Sequence, residues 1–258
     1  MANMLDLVQP ITKQQAKVII NKWHYSKVMP RITKLCIGGY KNNNLVAACT
    51  LGYGVRPLHT LKKMFPSLEV ADYLEIGKLC VSDDMPRNTE SYFISRIIKL
   101  LKRQMPGVKL LFSWADGIIG KPGYVYQASN FYYGGYIWTE MYLDKNGVRI
   151  HPRTLQGISI GERVGTFKTR RFEVTQAMGM TKYFGVQFRY IYPLCHKREW
   201  QQLQTESPFS WRRNGFPKDI DCQWKRQVTK GVRVSCGKPN FVMTDYVKRE
   251  AQTQPKLL

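Results

Sequence analysis

The side chains able to do chemistry gather in a few stretches. Asp116 closes a continuous apolar run, residues 108–115. A carboxylate there can take or hold a proton, or simply cap a turn. Tyr126 follows ten residues on, with Tyr124, Tyr132 and Tyr133 close by. His24 and Tyr25 come directly after a predicted helix. A histidine so placed can act as a base near neutral pH, or serve as a cap or surface residue. The loop 83–90, with Arg87, Asn88 and Thr89, leads into a helix expected to begin near Ser91. A helix start offers free N–H groups and a positive dipole end to phosphate. The same loop also reads as an ordinary strand-to-helix connection. Cys195, His196, Cys222 and Cys236 match no common zinc spacing. Cys36, Cys49 and Cys80 sit in apolar runs and read as small core residues of a reducing compartment.

Charge narrows the class of partner. Forty Lys and Arg face eighteen Asp and Glu, a formal net charge of +22. A field of that size draws polyanions, and nucleic acid is the partner it fits best. Arg163, Lys168, Arg170 and Arg171 form one candidate DNA-binding cluster; Arg212, Arg213, Lys225 and Arg226, with Lys230, form another. Trp200, Phe209, Trp211, Phe216 and Trp224 interleave with the second, and aromatic rings stack on bases. Either cluster also reads as a solvated face. No stretch of about 18 apolar residues suits a bilayer, and the first ten residues lack a secretion signal. The expectation is a soluble, cytoplasmic protein with no membrane partner.

Hydropathy patterning supplies the elements that must hold these residues. Ala16, Ile19, Ile20 and Trp23 repeat at helical spacing, with Thr12 and Gln15 as a capping box, so residues 12–23 are a predicted helix. Residues 34–40 and 45–53 are predicted strands joined by Lys41-Asn42-Asn43-Asn44 as a hairpin. A strand over 73–82, a helix over 91–104 and a buried central strand over 108–115 follow. Residues 124–131 read as a short helix closed by Gly134-Gly135, and 136–143 and 183–194 as strands. Beyond residue 195 the pattern is less regular, with thirteen Lys and Arg against six Asp and Glu.

This order resembles the acyl-CoA-dependent N-acetyltransferase (GNAT) architecture. Ser113-Trp114-Ala115-Asp116, the block from Gly120 through Asn130-Phe131, and Gly134-Gly135 more specifically resemble the Mom family of phage DNA-modifying proteins. Lys78-Leu79-Cys80-Val81, Pro86 to Ser91, Tyr190 to Leu194 and His24-Tyr25-Ser26 fit as well, so the resemblance spans roughly residues 10–195. It implies an α+β fold: a GNAT-like catalytic domain over 1–195 with a mixed central sheet flanked by helices, and a basic C-terminal extension over 196–258. It further implies conversion of adenine in double-stranded DNA to an N6-methylcarbamoyl or carbamoylmethyl adduct that protects phage DNA from restriction, with acetyl-CoA as donor. In that reading Asp116 takes a proton from the exocyclic amine or orients it. Tyr126 protonates the leaving thiolate, and His24 and Tyr25 face the acceptor. Ser91, Lys78, Arg87, Asn88, Thr89 and Asn130 contact the acyl-CoA. Two departures stand out: the usual glycine-rich pyrophosphate loop is absent, and Lys78 replaces an expected arginine, which keeps the charge but loses the bidentate fork. The alternatives are an acetyltransferase acting on an amino-modified thymidine, and a non-catalytic basic DNA-binding protein.

Overall fold

The computed structural model describes residues 4–54, 57–150 and 172–243. Its centre is a mixed sheet built in the order β1 (Leu7–Ile11), β2 (Thr33–Lys41), β3 (Asn44–Gly52), β4 (Tyr73–Val81), β5 (Leu110–Ala115), β8 (Thr181–Pro193), β6 (Tyr132–Leu143), β7 (Val148–Ile150), β11 (Val242–Met243), with the hairpin of β9 (Trp224–Thr229) and β10 (Val232–Cys236) attached to β8. The α+β arrangement expected from the sequence is the one the chain adopts.

The N-terminal half follows its sequence signals closely. β1 (Leu7–Ile11) leads into α1 (Lys13–Trp23). Thr12 Oγ1 accepts from the Gln15 amide at 3.2 Å, and the Thr12 amide donates to Gln15 Oε1 at 2.9 Å. That box stops the helix unravelling at its first turn. Ala16, Ile19 and Ile20 bury against Cys36, Ala48 and Cys80 on the sheet. β2 (Thr33–Lys41) and β3 (Asn44–Gly52) form the hairpin. Asn42 and Asn43 both take positive φ, 49° and 62°, the conformation that two-residue hairpin loops need and asparagine tolerates. A short helix, α2 (Pro57–Met64), and then β4 (Tyr73–Val81) follow.

α3 spans Thr89–Gln104 and lays Phe93, Ile94, Ile97 and Leu101 on the sheet. It starts two residues before the expected Ser91 because Asn88, at φ 71°, turns the chain into the helix earlier. β5 (Leu110–Ala115) is central, parallel to β4 and antiparallel to β8 (Thr181–Pro193). Its ladder with β4 runs only from Tyr73 opposite Leu110 to Ile76 opposite Ser113. Beyond that, β4 continues to Val81 on β3 alone, and β5 to Ala115 on β8 alone. The sheet therefore divides between the two strands.

The Tyr-rich segment departs from expectation. α4 is only Tyr124–Ala128, and β6 begins at Tyr132 and runs to Leu143. Gly134-Gly135 does not close a helix; it forms a bulge inside β6, with Gly135 at φ 78°. The cause is tertiary: a Cβ on Gly134 would lie 2.0 Å from the Trp211 ring, so only glycine lets that indole pack on the strand. Tyr133 and Arg212 exchange backbone hydrogen bonds of 2.8 and 3.0 Å at the same place. Trp211 then stacks on Phe65, centroids 5.5 Å apart, and shares a core cluster with Trp200, Leu203, Tyr73 and Phe112. Segments beyond residue 195 thus pack into the same core as those before it, and β9 (Trp224–Thr229) pairs with β8. β7 (Val148–Ile150), β10 (Val232–Cys236) and β11 (Val242–Met243) complete the sheet. Among the described residues no helix is long and apolar enough to cross a membrane.

Candidate active site

Asp116 stands where β5 ends, at the mouth of the divided sheet. The chain then tightens into a 3₁₀ turn, Gly117–Ile119, with the Ile119 and Lys121 amides both donating to the Asp116 carbonyl. Gly117 crosses β8 so closely that a Cβ would fall 2.6 Å from Phe188. Pinned in this way, the Asp116 carboxylate receives one donor on each oxygen. The Tyr25 hydroxyl donates to Oδ2 and Gln187 Nε2 to Oδ1, each at 2.6 Å. Both groups donate to the carboxylate and leave further lone pairs for a substrate.

Two lysines flank the Tyr25 ring that donates to this carboxylate. Lys121 Nζ lies 4.4 Å and Lys78 Nζ 5.9 Å from the Tyr25 ring centroid. Burial pulls the Lys78 ammonium down to about 8, against the pull of Asp116 upward. Although part of the Tyr25 ring meets solvent, burial around its hydroxyl and the Asp116 charge push the phenol up, so it stays a donor. His24 stacks on Tyr25 with centroids 4.3 Å apart. Its Nδ1 accepts from the Ser26 amide at 2.9 Å, which leaves Nε2 as the donor of a neutral ring. Burial, with Lys78 alongside, drives the His24 imidazolium down to about 3. His24 therefore faces the site uncharged.

Tyr126 is buried against Phe131 and Tyr190, ring centroids 5.3 Å from each. Burial raises its phenol, the Ser113 hydroxyl opposes that rise, and Asp116 adds to it. Ser113 is nonetheless close to Tyr126 without hydrogen-bond geometry, since its buried Oγ has no partner among the described residues; nor has Thr50 Oγ1. The candidate residues for acyl-CoA separate. Asn88, Ser91 and Asn130 line one cavity of about 560 Å³ between α3 and the end of α4, with Lys99, Lys102 and Tyr192. Thr89 does not belong there: it is fully buried and its hydroxyl donates to the Pro86 carbonyl at 2.6 Å. The early start of α3 turns it into the core. Arg87 is exposed and absent from that cavity's lining, while Lys78 sits with Asp116.

Arg212 and Arg213 lie over Tyr133 and Tyr132, 5.5 and 4.1 Å from the ring centroids. Lys225 lies over Trp138, and Arg226 is exposed. Arg163, Lys168, Arg170 and Arg171 fall outside the described residues.

Three site residues have no place in the sequence reading. Gln187 and Arg189 occupy the positions between Val186, Phe188 and Tyr190, which alternation assigns to the opposite face of the strand. That face is where Asp116 and Trp114 are met. Arg189 is 8% exposed, lies 4.0 Å from the Phe209 and 5.8 Å from the Trp114 centroid, and donates to the Gly134 carbonyl at 2.7 Å. No carboxylate pairs with it among the described residues, and burial pulls its pKa down. Glu75, on β4 just before the sheet divides, is the third. Its carboxyl packs over Gly54, where a Cβ would fall 2.0 Å from Oε2, and burial pushes it up to about 7. One carboxylate and one lysine inside an otherwise apolar strand, Glu75 and Lys78, were the available signal.

The divided sheet thus places a carboxylate held by two donors beside a half-buried amine and a phenol that keeps its proton. The profile of the Mom protein family matches residues 6–212, and the chain belongs to that family. A relative, "Methylcarbamoylase mom" of Escherichia phage Mu, is 30% identical over 199 residues, 77% of this chain and 79% of that protein. Among solved structures, an N-acetyltransferase from Staphylococcus aureus Mu50 aligns at TM-score 0.38 and 16% identity, covering 73% of this chain and 97% of that one. The aminoglycoside 6'-N-acetyltransferase from Enterococcus faecium aligns at TM-score 0.40 and 8% identity, covering 74% and 98%.

Proposed function

We propose that this protein modifies adenine in double-stranded DNA at the exocyclic N6 amine, as a methylcarbamoylase-type enzyme serving restriction evasion by a phage in its host's cytoplasm. The observation that carries this reading is the Asp116 carboxylate, held in place by the Tyr25 and Gln187 donors at the division of the sheet. A carboxylate so fixed accepts a hydrogen bond from an amine, orients its lone pair and takes its proton as a bond forms. Lys78 and Lys121 close by suit negative charge that develops on the carbonyl oxygen of an acyl donor. Tyr126, kept protonated, is suited to return a proton to a leaving group. His24 supports Tyr25 and offers Nε2–H as a neutral donor.

The donor suggested by the architecture is an acyl-CoA, acetyl-CoA first. Its fit rests on two features of this chain. The strands β4 and β5 part without a ladder between them, leaving edges that suit an extended, amide-bearing arm. The α3–α4 cavity adds Ser91, Asn88 and Asn130 with Lys99 and Lys102, a set suited to a phosphorylated nucleotide. When bound, such a thioester supplies two carbons but no nitrogen: attack by N6 with loss of the thiol leaves an N6-acetyl group, and a methylcarbamoyl or carbamoylmethyl adduct needs a separate nitrogen donor as co-substrate. Because N6 is engaged in base pairing, the target adenine must leave the stack to reach Asp116.

The deciding experiment is mass spectrometry of nucleosides from plasmid DNA of cells expressing the protein. An N6 adduct on adenine is expected from the wild type, and at least about a 100-fold loss from Asp116→Asn, the scale of a lost general base. An adduct on thymidine, or undiminished adduct in Asp116→Asn, overturns the reading.

A further inference from the structure

The hairpin β9–β10 lies beyond residue 212, where the family match ends. Within Trp224–Cys236 there are four cations, Lys225, Arg226, Lys230 and Arg233, and no carboxylate. β10 is exposed along nearly its whole length and has no strand on its outer side among the described residues. With five or six residues a side, the hairpin is about 20 Å long; β8 pairs with β9 over Trp224–Arg226, so the end from Gln227 to Arg233 is the part that stands clear of that ladder. Lys230 meets Glu173 only at 3.9 Å with both side chains exposed, a pair that solvent screens. Arg226 is likewise exposed. At the base, Lys225 and Arg233 lie against the Trp138 and Phe184 rings, 4.4 and 3.7 Å from their centroids.

The second observation is where the ribbon is rooted. Trp224 Nε1 donates to the Ile118 carbonyl at 2.8 Å, inside the turn that follows Asp116. Trp224 also pairs with Gly185 of β8, two residues from the Gln187 that holds Asp116. Two residues of strand span about 7 Å. A cationic ribbon is thus fastened to both supports of the catalytic carboxylate.

We propose that β9–β10 is a docking ribbon for duplex DNA, inserted along the major groove so that Arg226 and Lys230 meet phosphates while Trp224 sets the distance to Asp116. The inference rests on DNA being the substrate. The major groove of B-form DNA, about 12 Å wide, admits a two-stranded ribbon, whereas the deep, narrow groove of duplex RNA does not. Cations on an exposed edge also discourage edge-to-edge pairing, so the test must separate a local contact from mere charge.

The test is fluorescence anisotropy with a short labelled DNA duplex over a range of salt, using the full chain. Arg226→Gln with Lys230→Gln is expected to weaken binding about tenfold and to lower the salt slope by about 2. Arg226→Lys with Lys230→Arg is expected to restore both, which excludes a folding defect. Lys13→Gln with Lys17→Gln removes the same charge from the exposed side of α1 and is expected to leave the slope nearly unchanged. Equal losses from both glutamine pairs, no loss from the ribbon pair, or equal wild-type binding to duplex RNA overturns the ribbon assignment. Failure of the wild type to bind any duplex overturns instead the reading of DNA as substrate.

Discussion

Replacing Glu75 by Gln is expected to stabilise the protein at neutral pH and to leave it unchanged in acid. Glu75 is held between the start of the β4–β5 ladder and Gly54, and burial alone moves its carboxyl from 4.5 to about 7. In the unfolded chain the proton leaves near pH 4.5; in the folded chain it stays until about 7. Between these values the folded state binds one more proton, so wild-type stability falls as pH rises through the window and stays lowered above it. A rise of that size corresponds to about 3 kcal/mol, reduced to about 2 kcal/mol because the side chain keeps some contact with solvent. Glutamine has nearly the same shape and never ionises, so Glu75→Gln escapes this loss. Urea unfolding followed by tryptophan fluorescence, from acid to mildly basic pH, measures the difference directly. The variant is expected to match wild type near pH 4.5 and to exceed it by about 2 kcal/mol above pH 7, where the burial cost of the charge is complete. A difference that does not change with pH, or a wild type that gains on the variant as pH rises, refutes the reasoning.

Two further predictions concern the supports of the site. Tyr25→Phe keeps the ring between His24 and Lys121 but removes the donor to Asp116 Oδ2. A hydrogen bond to a charged group is worth about 1.5–3 kcal/mol, so adduct formation is expected to drop roughly tenfold to a hundredfold while the protein stays folded, its melting temperature lowered by several degrees; an unchanged adduct level refutes it. Gly134→Ala drives a methyl into the Trp211 ring and is expected to cost about 3 kcal/mol, read as a lowered urea midpoint. A variant as stable as wild type would mean that Trp211 does not require the bare backbone.

Local signals were enough where an element is decided by its own residues. The Thr12–Gln15 box, the helical spacing of Ala16, Ile19 and Ile20, and the Asn42-Asn43 turn each predict what forms, because the interactions close within a few residues. The Asp116 position was legible for the same reason: an apolar run long enough for a central strand must end, and its first acidic residue emerges at the strand's tip. Where neighbours are distant in sequence, the local reading fails. Gly134-Gly135 looks like a helix stop, and Trp211, more than seventy residues on, makes it a bulge in a strand.

The sequence by itself determined the net charge of +22, the order α1-β2-β3-β4-α3-β5 without the edge strand β1 or the short helix α2, and the presence of an acidic residue at the end of β5. Only the tertiary structure decided what Asp116 touches. Tyr25 is 91 residues away and Gln187 is 71, and β8 brings Gln187 in from the face that alternation leaves to solvent. Sequence periodicity states which side of an element is apolar. Which polar side chains meet across a divided sheet depends on strand order and register, and those follow from packing the whole chain at once.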